Sequence, residues 1–204
     1  MGLEKYIEKR KFNETPEPGG EKKSSADKLC FVVQRHKASQ LHYDLRLEMD
    51  GVLKSWAVPK GPSLNPKDKR LAMMTEDHPY DYKDFEGIIP EGNYGAGIME
   101  IWDKGSYTIL EKTDNEEKKL LSDLNAGSLK FIMHGKKLKG EFALVKLKGK
   151  EKDNMWLLIK HKDDFALDEY NSENETAKNS PINKWLAENP PGVKPEKKKS
   201  TARQ

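Results

Sequence analysis

Residues 42–49 alternate without a break. His42, Asp44, Arg46 and Glu48 are polar, while Tyr43, Leu45, Leu47 and Met49 are apolar. Period-two alternation predicts a half-buried strand, with each set projecting from its own face. Asp50-Gly51 follows and leads into a second extended run, Val52–Val58. This dipeptide suits the positive φ angles of a type I′ turn and is a strong short-range hairpin signal. A two-residue loop sets the register: Met49 opposite Val52, Arg46 opposite Ser55, Asp44 opposite Ala57. Small residues then face the charged row and leave space above it for an ion and a ligand. Same-face neighbours on a strand lie roughly 6 to 7 Å apart, close enough for His42 and Asp44 to share a metal ion.

Other apolar, β-branched runs bounded by turn residues predict strands at Leu29–Arg35, Arg70–Glu76, Ile98–Trp102 and Ser106–Glu111. Further strands are predicted at Gly127–His134, Glu141–Leu147 and Trp156–His161, with Asp103-Lys104-Gly105 as a turn. Residues 114–126 and Ile182–Glu188 predict short helices. Many short strands with little helix make the class all-β, a barrel or a sandwich. Residues 1–28 read as a polar N-terminal arm and residues 29–167 as the β domain. Residues 168–204 read as a polar, basic, disordered tail, with Pro190-Pro191-Gly192 and Lys197–Lys199 near its end.

The 204 residues suit one domain, and a net charge of +3 is too small to indicate nucleic-acid binding, so any basic footprint is local. The single cysteine, Cys30, excludes an internal disulfide and fits a reducing compartment as a small buried hydrophobe. There is no signal peptide and no apolar run of membrane-spanning length. The expectation is a soluble, cytoplasmic protein without a membrane partner.

His36, His42 and Asp44 make a two-histidine, one-carboxylate set, provided the loop after the first strand folds His36 back onto the polar row. Such donors suit Mn²⁺, Fe²⁺, Co²⁺ or Zn²⁺ better than Ca²⁺. The plain alternative is His42 bonded to Asp44 on a strand surface, with His36 in a loop. Arg46, Lys60, Arg70 and His78 flank the same strands, and all are donors. Cations around a metal fit a phosphate ligand whose charge grows during displacement. Pro90–Gly97 is a glycine-rich loop around Tyr94 whose backbone can approach a phosphate, but it lacks the lysine and hydroxyl residue of a nucleotide-binding P-loop and reads as a turn. His134 and His161 read as structural, and the four tryptophans as packing residues.

The run F-V-V-Q-R-H-K-A-S-Q-L-H-Y-D-L-R-L-E-M-D-G-V-L-K-S-W-A-V-P-K-G-P-S (31–63) closely resembles the 3′-phosphoesterase domain of DNA ligase D. So do E-D-H-P-Y-D-Y (76–82), F-E-G-I-I-P-E-G-N-Y-G-A-G (85–97), L-K-G-E-F-A-L-V-K-L and W-L-L-I-K. With no room for polymerase or ligase modules, the expectation is a stand-alone version. The resemblance implies a compact antiparallel β-barrel of about eight strands with short flanking helices. It implies a manganese-dependent enzyme, with Co²⁺ or Zn²⁺ as substitutes, that processes DNA 3′ ends before end joining. A phosphodiesterase step removes a terminal ribonucleoside and a phosphomonoesterase step then removes the 3′-phosphate. The implied partners are primer-template 3′ ends, and a separate ligase and polymerase of end joining.

Carried over by motif, His36, His42 and Asp44 hold the metal. Arg46 and His78 contact the scissile phosphate, with His78 protonating the leaving oxygen and the terminus in the barrel mouth. Lys60, Arg70, Glu76 and Tyr82 match further catalytic positions, and Arg10 and Glu17 match substrate-binding positions in the arm. Lys11 stands where the family carries an aspartate, which bears on the phosphodiesterase step. The residues leave two rivals: an Fe(II) oxygenase built on the same triad, and a non-catalytic nucleic-acid-binding module whose cations grip backbone.

Overall fold

The computed structural model describes residues 2–24, 28–111, 113–149 and 153–189. In chain order the elements are α1 (Glu4–Glu8), β1 (Cys30–Lys37), β2 (Leu41–Met49), β3 (Val52–Val58), β4 (Lys69–Met74) and β5 (His78–Pro79). A 3-10 turn (Tyr80–Asp84), β6 (Gly87–Ile89), β7 (Gly97–Ile109), α2 (Glu116–Ala126) and β8 (Ser128–His134) follow. β9 (Lys139–Lys146), β10 (Met155–Lys160) and α3 (Pro181–Glu188) complete the order.

The β2–β3 hairpin has the register its turn dictates. Asp50 and Gly51 take φ angles of 54° and 71°, and Met49, Arg46 and Asp44 pair with Val52, Ser55 and Ala57. The antiparallel order β1-β2-β3-β4-β10-β9-β8-β7 closes on itself where β7 pairs with β1. The fold is therefore an eight-stranded β-barrel, with β5 added to β3 and β6 to β7. Closure pairs the backbone groups that an open sheet would leave at its edges.

The apolar rows of the first three strands point inward. Val33, Tyr43, Leu45, Leu47 and Trp56 join Trp102, Phe131, Phe142 and Trp156 in one core. Because side chains alternate across a strand, the polar row of β2 lies on the outer face of the wall. A second apolar cluster, including Leu3, Tyr6, Leu53, Tyr82, Ile89 and Met99, packs α1, the 3-10 turn and β6 onto that face. The polar row is thus enclosed between the wall and the N-terminal arm, rather than at the barrel mouth, where the expectation puts the substrate's 3′ terminus.

Three further expectations need correction. First, β1 runs through His36 to Lys37, because it is paired on both sides, by β2 and β7. Second, Asp103-Lys104-Gly105 is no turn but the middle of the 13-residue β7. Asp103 accepts the backbone N–H groups of Lys136, Lys137 and Leu138, and the β1 partner shifts register between Val33 and Gln34. Gly105 carries no side chain where the His134 carbonyl passes. Third, the segment from Asp168 is packed through Asn189: Ser172 and Ile182 are buried, and Trp102 Nε1 donates to Ser172 O at 3.2 Å. Residues 190–204, with the basic end of the expected tail, lie outside the described residues.

Candidate metal and phosphate site

His36 and His42 are opposed across β1 and β2, and Asp44 is the next same-face residue on β2. Strand pairing alone therefore assembles the triad. Its ligand atoms all lie within 4.8 Å of one another. Asp44 Oδ2 is 3.6 Å from His36 Nδ1, and Asp44 Oδ1 is 3.6 Å from His42 Nε2. His42 Nδ1 lies 3.1 Å from the Gln40 carbonyl, which fixes Nδ1–H as the donor and leaves Nε2 for a ligand. His36 Nε2 is buried without a hydrogen-bond partner. Two imidazoles, one carboxylate and an unpartnered buried ring nitrogen fit a divalent transition ion with open positions. Burial pushes the Asp44 carboxyl up, but the Arg46 charge and the two neighbouring imidazoles outweigh it and hold the group well below the usual carboxylate range. The triad thus keeps its carboxylate charge at neutral pH.

Arg46 is buried, with every guanidinium nitrogen bonded. Nε donates to Gln34 Oε1 at 2.6 Å, Nη1 to Ser55 Oγ at 2.9 Å and Nη2 to Asp44 Oδ2 at 3.4 Å. Its plane lies over Tyr82, 4.7 Å from the ring centroid. Gln34 is itself locked, donating from Nε2 to the Tyr82 and Phe85 carbonyls.

The arm supplies a second cation. Arg10 donates from Nε to Glu17 Oε1 at 3.1 Å and from Nη1 to Glu76 Oε1 at 2.7 Å, and Nη2 is 3.3 Å from His78 Nε2. Tyr82 OH also donates to Glu17 Oε1. Tyr6 packs against His78 and Tyr82, and its hydroxyl donates to the Pro18 carbonyl. His78 Nδ1 lies 3.0 Å from the Glu76 carbonyl, so Nδ1 carries the hydrogen and Nε2 accepts from Arg10. Burial, with the Arg46 and Arg10 charges behind it, drives the His78 pKa well below the ordinary histidine value. His78 is therefore neutral at neutral pH.

A cavity of about 180 Å³ is lined by His36, His42, Asp44, Arg46, Glu76, His78, Tyr82 and Arg10, with Ala57, Tyr94 and Met99. The small residue opposite Asp44 leaves the space that the hairpin register predicted. Glu17 stands behind this wall. Lys60 and Arg70 are not part of it: Lys60 is exposed in the turn after β3, and Arg70 pairs with Asp68 at 2.8 Å. Lys11 points outward and pairs with Glu14. Sequence reasoning missed Gln34 and Tyr6. It placed Ser55 opposite Arg46 without giving it a role, and it read the loop around Tyr94 as a turn.

The sequence profile of the DNA Ligase D 3′-phosphoesterase domain matches residues 34–146, which bear the triad, Arg46 and His78. The chain belongs to the ligase D 3′-phosphoesterase family. It is 51% identical over 166 residues to the multifunctional non-homologous end joining protein LigD of Pseudomonas aeruginosa, covering 80% of this chain and 19% of that protein. Against the protein of that name from Mycolicibacterium smegmatis it is 46% identical over 164 residues, covering 79% and 21%. The chain thus spans about a fifth of the length of these relatives. Among the described residues no helix is long and apolar enough to cross a membrane.

Proposed function

We propose that this family member is a metal-dependent phosphoesterase that processes DNA 3′ ends for end joining. It removes a terminal ribonucleoside and then the 3′-phosphate, leaving a 3′-hydroxyl. The observation that carries the reading is the meeting of an anionic metal triad with Arg46 and Arg10 across one small cavity. When bound by His36, His42 and Asp44, a Mn²⁺-class ion supplies Lewis-acid polarisation of the phosphate.

The chain's own residues do the rest. Arg46, held by Gln34 and Ser55, presents a fixed positive charge to the phosphate oxygens as their charge grows. Arg10 brings a second cation and withdraws from His78 Nε2 when a phosphate takes its place. His78 then gains basicity from the anion, takes up a proton from solvent on Nε2 and gives it to the leaving oxygen as that oxygen's bond to phosphorus breaks and one to a water oxygen forms. Tyr82 and Glu17 hold Arg10 and Arg46 in plane, and the arm excludes water from one side. Arginines against the triad favour a phosphate over dioxygen, which argues against the oxygenase alternative.

The test is a labelled primer ending in one ribonucleotide, incubated with Mn²⁺, Zn²⁺ or no metal. Loss of one nucleoside, then of phosphate, only with metal is expected. An unaltered primer under all conditions, with DNA binding that survives chelation, would support the binding-module alternative instead.

A further inference from the structure

The loop 90–97 has no part in the reaction just proposed, yet it brings an aromatic side chain to the cavity. Tyr94 retains 49% exposure and borders the cavity beside Arg10, Glu76 and His78. It also borders a second groove of about 720 Å³, lined by Lys5, Lys9 and Lys146 and equally by the carboxylates of Glu4, Asp77 and Asp153. Thr75, Glu76 and Tyr94 are the wall common to both.

The loop is firmly set. Asn93 N–H donates to the Pro90 carbonyl and Ala96 N–H to that of Asn93. A Cβ on Gly97 would collide with the carbonyl oxygen of Lys37, the residue after His36. Two cations lie over the Tyr94 ring, Lys9 Nζ at 4.4 Å and Arg10 Cζ at 4.9 Å from its centroid, and the partly exposed Lys9 is the one a stacked base would displace. Its hydroxyl is 3.2 Å from Lys9 Nζ and 3.5 Å from Glu76 Oε2. A half-exposed ring is thus held at the wall shared by the small cavity and the large groove.

Size decides what passes it. Pockets that enclose a drug-sized molecule run to about 300–1,000 Å³. The 180 Å³ cavity admits a phosphate and the edge of a sugar, whereas the 720 Å³ groove admits a whole nucleoside. For a 3′ end whose phosphorus sits between the triad and Arg46, Tyr94 stands between that position and the groove large enough for its nucleoside.

We propose that Tyr94 is a stacking platform for the base of the nucleoside that carries the reacting 3′-phosphate, and that the adjoining groove receives that nucleoside. This nucleoside stays with the DNA in both proposed steps, so one platform serves both. Every base has a π-face, so stacking grips ends without reading their sequence. The inference rests on the phosphoesterase reading above.

The experiment measures phosphate release with Mn²⁺ from two 3′-phosphorylated primers, one ending in an ordinary nucleoside and one in an abasic tetrahydrofuran residue. Wild type is compared with Tyr94→Ala, Tyr94→Phe and Tyr94→Trp. On the ordinary primer Tyr94→Ala raises KM about 5- to 150-fold, the worth of one stacked base, with kcat little changed. The abasic primer starts from a raised KM in the wild type, and Tyr94→Ala adds nothing to it. Phe and Trp at this position retain the wild-type preference. Equal losses on both primers, no loss on either, or a Phe variant as poor as the Ala variant would each overturn the platform. Wild-type protein inert on both primers would refute the phosphoesterase reading itself, a result visible before any variant is made.

Discussion

The rings of His36 and His42 meet across paired positions of neighbouring antiparallel strands, 4.8 Å apart between centroids and tilted by 58°. Two ligands on directly paired residues cannot drift apart without breaking the β1–β2 ladder. The ligand set is therefore as rigid as the barrel wall.

Removing one ligand should abolish metal binding without unfolding the chain. His42→Ala, whose side chain is partly open to solvent, is expected to weaken Mn²⁺ binding more than about 100-fold, beyond the loss typical of outer-shell partners. Isothermal titration with Mn²⁺ reads this, and a melting curve checks the fold. Unchanged affinity would remove the triad from the metal assignment.

Arg46 serves stability as well as the proposed chemistry. Arg46→Ala leaves the Asp44 carboxylate and Gln34 Oε1 without their buried partner. The expected cost is about 3–5 kcal/mol. Arg46→Lys keeps the charge but loses the fork that reaches Gln34, Ser55 and Asp44 together, so it should unfold at lower urea than wild type yet above Arg46→Ala. Midpoints of urea unfolding test the order.

Acid should loosen the arm through Glu76. Burial raises this carboxyl's pKa, but hydrogen bonds from Arg10 and Lys9 outweigh it, and the net position is below the ordinary value. A carboxylate depressed on folding contributes stability that is present above its unfolded pKa and lost as pH falls through the folded one. Glu76→Gln should therefore melt below wild type at neutral pH, with the gap closing as the pH drops through the acidic range. A gap constant with pH would show that the ion pairs with the arm do not stabilise the fold.

The C-terminal segment should contribute to stability independently of the metal site. Glu173 accepts from Arg35 Nε at 3.0 Å and Nη2 at 2.6 Å, and from the Tyr43 hydroxyl. Glu173→Ala leaves buried Arg35 Nε without an acceptor, a loss of about 1–3 kcal/mol. Thermal melts should fall while Mn²⁺ titration stays at the wild-type value, since Arg35 and Tyr43 project from the opposite face to the triad.

The hairpin was legible because its information is local. Alternation from His42 to Met49 and one dipeptide with positive φ fix both register and faces. The position of His36 was not, because β1 is extended by β7, a partner some sixty residues downstream. Asp103-Lys104-Gly105 has turn composition, yet its carboxylate serves another strand's turn and its glycine gives way to another strand's carbonyl. Arg10 and Glu17 were placed by family resemblance, since nothing in a polar arm announces what it will fold against. Gln34 escaped notice, and Ser55 was placed only by register, because neutral side chains that hold an arginine leave no charge pattern to read.

The strand β10 pairs with β4 on one side and β9 on the other, and it lies beyond residue 146, where similarity to the family profile stops. Anyone who trims the chain to the recognisable stretch takes a stave out of the cask. The two bare edges left behind would seek strands from neighbouring molecules, and the product would precipitate before its chemistry could be assayed.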